Sequence, residues 1–386
     1  MRALSLLSLA LPVFAYPHLA HKGSAGIRIL PSEQARSDVR LSRRAAAPYS
    51  PLYPYTGAQI DGLSGLAVGG IQVPAPGDTA HEYQDPPEGA YRGPCPGLNA
   101  LANHGFLSRD GVTTFDEVVA GVQNAYNMGW DLAVFLATVG VSLDGDLVTT
   151  KMSIGGDATN ETSITGGLLG AEGGLNTHGT FESDTSLTRS DYYLPGANYD
   201  SHTFNGTLFG MMTATVSSTS SASAPLYDFA GLSLYRSQRY DQSVAENPNL
   251  YFPPKELHLY GAASFLYEIF PNSAAGSVPD KATIMSFFGA VDNGDGTYAW
   301  VPERFPEDWY NRATAYTLLD IAEQILAMYL AYPKLFGGNV GAGNFVPLDL
   351  DPHISGGEWS PSTAEDVLCL LYQAATENVP GEPLPA

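Results

Sequence analysis

The stretch YRGPCPGLNALANHGFLSRDG, residues 91–111, sets a cysteine between two prolines at the threshold of a short apolar run. Pro96 pushes Cys95 out of the helical region of backbone space, as an N-cap requires, and itself suits the first helical position. Leu98, Leu101 and Ala102 then share one face, and Gly105 after His104 offers a C-cap, so the spacing predicts a helix over 96–104. Cys95 is its N-cap. A sulfur there faces backbone N–H groups and the positive end of the helix dipole, both of which favour thiolate over thiol.

The surrounding chain reads as an exported one. Residues 1–15, MRALSLLSLALPVFA, have a basic start, a short apolar run and small residues near Ala15, the pattern of a cleaved signal peptide. Residues 16–44 read as a pro-segment ending at Arg43-Arg44, with an ordered N-terminal arm as the other reading. Residues 1–44 hold seven Lys/Arg and two Asp/Glu, so their removal takes the formal charge from −22 to −27. That balance argues against nucleic acid and anionic membranes as partners, and no later run is long and apolar enough to span a bilayer. Asn160 and Asn205 open glycosylation sequons, and SSTSSASA at 217–224 reads as an O-glycosylated loop. No internal repeat is visible. One domain is expected over 45–374, followed by a Pro-rich tail at 375–386.

Two cysteines in 386 residues do not make a disulfide scaffold. A Cys95–Cys369 bridge is one reading; the other leaves Cys95 as a ligand and Cys369, in the apolar run VLCLLY, as a buried thiol of a monomer, with an intersubunit bridge behind that. A thiolate with no Cys/His cluster of zinc spacing nearby points to a metal held by one protein ligand, and haem is the common cofactor bound that way. Pro94-Cys95-Pro96, continued through Gly111, resembles the proximal loop of the haem-thiolate peroxidases, the chloroperoxidase and unspecific peroxygenase family. The resemblance implies a mainly α-helical, single chloroperoxidase-like domain, haem b on the Cys95 sulfur, and Pro94 and Pro96 against the cofactor.

A second stretch, NTHGTFESDTSLTRSDYYLPGANYDSHTFNGTLF at 176–209, is similar to the family's acidic segment. Glu182-Ser183-Asp184-Thr185-Ser186 stands where the family has Glu-His-Asp or Glu-Gly-Asp followed by Ser two residues on. The resemblance implies that the Glu182 carboxylate, the Ser183 carbonyl and the Ser186 hydroxyl hold Mg²⁺ or another divalent cation beside a haem propionate. Hard oxygen ligands suit such an ion. The competing reading is a helix start with Asp184 as its cap.

Elsewhere the pattern is helical. Thr114-Phe-Asp-Glu117 reads as a capping box before Phe115, Val118, Val119, Val122 and Tyr126. Residues 313–330 place Ala315, Leu318, Leu319, Ala322, Ile325, Leu326 and Tyr329 on one stripe. DNGDGTYAW at 292–300 lacks the acidic set of a calcium loop and reads as a hairpin turn. With 41 Gly and 28 Pro, long irregular connections and little β-structure are expected.

A proximal thiolate favours O–O cleavage of bound hydroperoxide to a ferryl species able to oxidise organic molecules, aromatic or aliphatic. No dinucleotide fingerprint is present, so hydrogen peroxide is the expected oxidant. The resemblance is to the family's longer branch, where the distal acid-base is a Glu with an Arg seven residues before it. In PPKELHLYGAASFLYEIFP, 253–271, these positions fall on Ala262 and Lys255. His258 shares their helical face and is the substitute acid-base, against a structural role for it; Glu256 and Glu268 lie roughly 120° around the helix. Two functions follow: a secreted peroxygenase or peroxidase with an atypical distal side, or a haem-binding relative, carrier or non-redox catalyst, with lost or altered peroxide chemistry.

Overall fold

The computed structural model describes residues 45–58, 68–168, 170–349, 354–361, 363–368 and 370. The signal and pro-segment reading, the tail and Cys369 lie outside the described residues. Helices build the frame, as expected. Helix α1 (Pro96–Asn103) starts behind Cys95, whose φ of −84° and ψ of 105° are the extended values an N-cap takes next to a proline. Helix α2 (Phe115–Tyr126) is entered through Thr114, whose hydroxyl accepts the Glu117 N–H at 3.2 Å. The Glu117 carboxylate does not return the bond; it accepts the Ala46 N–H at 3.1 Å and the Thr113 hydroxyl at 3.0 Å.

Helix α3 (Trp130–Asp144) packs on α2. A single turn, α4 (Thr159–Thr162), carries an exposed Asn160. Helix α5 (Gly206–Thr219) is capped by Asn205, whose side-chain oxygen accepts from Thr207 and Leu208 and whose amide donates to Ser190 at 2.9 Å. Of the two sequons, the second is thus built into a helix cap. Ser217 to Thr219 close α5, so the Ser-rich loop begins only at Ser220. Helix α6 (Phe229–Glu246) lies against α5. A 3₁₀ turn over Pro254–Leu257 runs into α7 (His258–Glu268), and α8 (Lys281–Phe288) follows.

Helix α9 (Leu318–Ala331) begins five residues later than its apolar stripe predicts. Thr317 and Asp320 form a reciprocal capping box, the Asp320 carboxylate accepting the Thr317 N–H at 2.7 Å, and this fixes the start more firmly than periodicity can. Ala315 therefore drops out of the helix, Leu319 faces solvent and Met328 takes an inner position.

The sheets are small. Strands β1 (Val112–Thr114), β2 (Gly145–Asp146) and β3 (Lys151–Ser153) form an antiparallel sheet in the order β1-β3-β2, with Thr113 opposite Met152. Strand β4 (Tyr251–Phe252) joins a second one. Strands β5 (Ala290–Asp292) and β6 (Tyr298–Trp300) pair antiparallel, as the hairpin reading of 292–300 requires. Strand β7 (Gly337–Asn339) lies between β4 and β8 (Phe345–Pro347), and β9 (Ile354–Ser355) pairs with β10 (Glu358–Trp359).

An aromatic cluster of Tyr126, Phe270, Phe287, Phe305 and Trp309 backs α1, and the Tyr126 hydroxyl donates to the Gly97 carbonyl at 2.8 Å. Among the described residues no helix is long and apolar enough to cross a membrane.

Candidate active site

The cysteine turn is held by buried side chains that bond to its backbone. Asn99 accepts the Gly93 N–H at 3.1 Å and donates to the Gly93 carbonyl at 2.8 Å, folding the chain back over the start of α1. A Cβ on Gly93 would stand 2.1 Å from the Ile154 carbonyl oxygen, so only glycine fits. The Arg189 guanidinium, fully buried, donates to the Pro94 carbonyl at 3.1 Å. Cys95 is an unbridged thiol. Burial pushes it up, and the N–H groups of Leu98 and Gly97 pull it back without winning. The helix start alone does not make the thiolate.

Pro94, Cys95 and Pro96 line a cavity of ≈ 190 Å³ whose other walls come largely from α2, α3 and α7 and are overwhelmingly apolar. Glu182 and Ser186 of the acidic segment line the same cavity, as does Arg236. Burial pushes the Glu182 carboxyl up to about 8 against the pull of Arg189 and Ser186, and its Oε1 meets no hydrogen-bond donor. Ser183 is buried but is not on the cavity wall.

No helix starts at this segment, so the capped-helix reading falls. Asp184 instead accepts the Tyr192 N–H and the Asn247 amide, both at 2.9 Å. Thr185 sits in the left-handed region at φ 64°, held by Arg236, which donates to its carbonyl and, at 2.9 Å, to its hydroxyl. Arg239 donates to the Ser186 carbonyl at 2.8 Å and pairs with Asp191. Among the described residues no group of three or more His, Cys, Asp or Glu side chains is arranged to hold a metal. A cation here would rest on one carboxylate with carbonyl and hydroxyl oxygens.

On α7, His258 and Ala262 line the main cavity and also a second one of ≈ 120 Å³, which Lys255 lines as well. The shared-face spacing is therefore realised. Lys255 donates to the Gly179 carbonyl. His258 faces two backbone carbonyls, Lys255 at 2.6 Å from Nδ1 and Phe181 at 2.7 Å from Nε2. Burial pushes it down to about 4, although two carbonyl acceptors favour the doubly protonated ring. A neutral imidazole donates to only one of them. The two other carboxylates of this segment lie off both walls: Glu268 pairs with Arg312, and Glu256 is buried with its carboxyl pushed up to about 7.

Sequence reasoning did not find the buried arginines. Arg189 stood inside the quoted acidic stretch, and its position seven residues after Glu182 was the available signal. Arg236 and Arg239 lie on α6 with no motif around them, and only the folded chain brings them to Thr185 and Ser186.

The chain matches the family described as Peroxidase, family 2, over residues 81–314. It is 33% identical over 313 residues to an aromatic peroxidase of Fusarium equiseti, covering 76% of this chain and 70% of the relative. It is 33% identical to a dothistromin biosynthesis peroxidase of Dothistroma septosporum over 305 residues, 76% of this chain and 71% of the relative. An aromatic peroxygenase of Coprinellus radians is 33% identical over 237 residues, 60% of this chain and 83% of the relative.

Proposed function

Because the chain belongs to the haem-thiolate peroxidases of peroxidase family 2, an oxidoreductase family acting on peroxide, we propose that it binds haem through the Cys95 sulfur and uses hydrogen peroxide to oxidise or oxygenate small organic molecules. One observation carries the reading: the Cys95 thiol opens into a cavity whose other walls are largely apolar, with Glu182, Ser186, Thr188, Arg236 and His258 as the polar side chains on them. That wall chemistry fits a flat apolar macrocycle bearing carboxylates. The Arg236 Nε and the Glu182 Oε1 are buried without partners, a donor suited to a carboxylate and an acceptor suited to a cation beside it. Mg²⁺ on Glu182, Ser186 and the Ser183 carbonyl belongs to the same proposal.

When bound, haem supplies the activation of peroxide and the oxidising power. The chain's own part is to hold the sulfur, exclude water and manage one proton. Cys95 would hold the group through its sulfur, and a bound metal would supply the positive charge that the Leu98 and Gly97 amides lack, which would favour the thiolate. Pro96 keeps Cys95 extended and Pro94 fixes its own φ just before it, so the sulfur is presented without backbone adjustment. Leu136, Phe181 and Phe265 line the wall near His258 and keep it dry. His258 is the proposed proton holder, acting at Nε2 when that atom leaves the Phe181 carbonyl, with Lys255 as the cation on the same face and Ala262 leaving space beside it.

Export, with an N-linked glycan on the exposed Asn160, completes the proposal. The test is the absorption spectrum of the purified protein and its reduced CO adduct, beside Cys95→Ala. A thiolate-shifted band that vanishes in the variant is expected. Protein without haem after haem-sufficient expression, or an unchanged band in Cys95→Ala, overturns the assignment.

A further inference from the structure

Four aromatic rings run from the acidic loop to the surface. The backbone of His178 pairs with that of Glu182, which lines the main cavity, and the Gly179 N–H donates to the Glu182 carbonyl at 2.9 Å. The His178 ring stacks on Tyr192, with centroids 4.4 Å apart and planes within 8° of parallel. Tyr192 meets Tyr193 at 5.0 Å and Tyr199 at 5.4 Å, and Tyr193 stands 6.2 Å from Tyr199. These are separations of rings in direct contact. Tyr192 and Tyr193 are half-buried, whereas Tyr199 is 67% exposed.

Both ends of the group are fixed by the backbone. Asp184 accepts the Tyr192 N–H at 2.9 Å, which ties the inner end to the loop that carries Glu182. Tyr199 holds a left-handed backbone at φ 60°, next to Asn198 at 53°. A bulky residue keeps that conformation only where its surroundings hold it, and here the outermost ring lies against Tyr192 and Tyr193 although most of it faces water. A phenol gives up an electron together with its hydroxyl proton far more readily than an imidazole does. Three of the four rings can therefore carry an oxidation, and His178 packs them against the loop.

We propose that Tyr199 is a surface oxidation site for phenols too bulky to enter the cavity, with Tyr192 and Tyr193 passing electrons from it towards the Cys95 cavity. The inference rests on the functional reading, which supplies the oxidant, and adds a second place at which that oxidant acts. Reduction of one hydrogen peroxide to two waters takes up two electrons and two protons. Each electron leaves Tyr199 inward while its hydroxyl releases a proton to water, and Tyr199 becomes a neutral phenoxyl radical. A phenol at the surface then gives Tyr199 a hydrogen atom and becomes the radical in its place. Two phenols are oxidised per peroxide, and the two protons released at the surface balance the two consumed. A cavity of ≈ 190 Å³ excludes a phenol borne on a polymer; an exposed ring does not.

The test uses haem-loaded protein, with haem content and the CO spectrum recorded first. Peroxide is added with a nitroso spin trap, and the trapped residue is located by peptide mass spectrometry. Oxidation of phenol groups coupled to dextran is followed beside that of a small free aromatic. Wild type is expected to carry the adduct on Tyr199 and to oxidise the dextran-bound phenol. Tyr199→Phe should lose both and keep its activity on the small aromatic. Tyr192→Phe combined with Tyr193→Phe should remove the adduct while Tyr199 itself stays in place. Tyr332→Phe, at a tyrosine 39% exposed beyond the end of α9, should change neither readout. Mapping the adduct in wild type keeps the test open if a variant folds poorly. A wild type with the thiolate spectrum and peroxide turnover but no adduct on Tyr199 overturns the relay alone. So does dextran-bound phenol oxidised equally by Tyr199→Phe, or an adduct that survives the double substitution. Protein that takes up no haem sinks the functional reading and the relay together.

Discussion

Arg189 Nη2 stands 3.1 Å from the Pro94 carbonyl oxygen, so the loop that carries Glu182 and the turn that carries Cys95 share one buried guanidinium. Its charge acts on both, lowering the Glu182 carboxyl and the Cys95 thiol against the burial that raises them. Arg189→Met leaves the Pro94 carbonyl without its partner and removes that charge. Stability should fall by about 1–3 kcal/mol, and haem content with it. Arg189→Lys should recover part of the haem content. Thermal unfolding with haem quantified per chain checks both, and an unaltered Arg189→Met would show that the two loops are held by other contacts.

Cys95→His keeps a one-ligand site but removes the sulfur. Haem should be retained in part, the thiolate spectrum lost, and peroxide-driven oxygen insertion should fall more than simple one-electron oxidation. Parallel assays with an alkane and a phenolic reporter measure the split. Equal retention of both activities would contradict a role for the sulfur beyond anchoring.

Glu182→Gln keeps shape and removes the charge proposed to hold the cation. Haem retention should weaken and recover with excess Mg²⁺, with Ser186→Ala acting the same way more mildly. Metal analysis of dialysed protein is the check, and unchanged haem and metal stoichiometry in both variants would leave the segment a structural loop.

General acid-base help is commonly worth a factor of about 10² to 10⁴, and Ala262 offers none. Ala262→Glu should speed peroxide consumption, since the cavity has space at the alanine and Lys255 lies on the same face. His258→Ala should slow whatever rate the wild type has. Stopped-flow mixing with peroxide at matched haem content reads both. A wild type that reacts as fast as the Ala262→Glu variant and ignores His258→Ala would remove both residues from the proton path.

His104 gives a pH prediction with a defined sign. Its Nδ1 faces the His81 carbonyl at 3.0 Å and its Nε2 accepts the Phe305 N–H at 3.2 Å, so the neutral ring is the form that fits. Burial pushes it down to about 4, below the ordinary histidine value. Between pH 6.5 and 4 the unfolded chain binds the proton and the folded chain does not, so this residue's contribution is present above about pH 6.5 and is lost as pH falls toward 4. The loss is on the order of 3 kcal/mol. The buried carboxyls of Asp144, Glu182 and Glu256 titrate with the opposite sign, so the slope must be isolated by difference. Subtracting the stability–pH curve of His104→Gln from that of wild type should leave a term rising from pH 4 to 6.5; a flat difference would refute it.

How much of this was legible depended on how local the cause is. The cysteine turn and α1 were readable because two prolines and a glycine set them within a dozen residues. The hairpin at 290–300 was readable for the same reason. The start of α9 was misread because apolar spacing continues upstream of Thr317, and only the side-chain cap decides where the helix begins. Lys255, His258 and Ala262 could be placed on one face by counting, but the carbonyl of Phe181 against His258 comes from 77 residues away. Asp184 reads in the sequence as a helix cap. Its actual partners, Tyr192 and Asn247, are fixed by how the loop closes on α6.

Thr185 keeps a branched side chain in a left-handed backbone, a conformation that costs on the order of 1–2 kcal/mol and persists only where its surroundings over-determine it. Arg236 on one side and Asp191, which accepts the Thr185 N–H at 3.1 Å, on the other do so from within the chain. The loop's curvature is therefore written into the protein before any ion or cofactor arrives. If the proposed cation binds here, a site pre-shaped in this way would discriminate by rigidity: it would accept what matches the spacing of Glu182 and Ser186, a spacing that depends on the guanidinium holding Thr185.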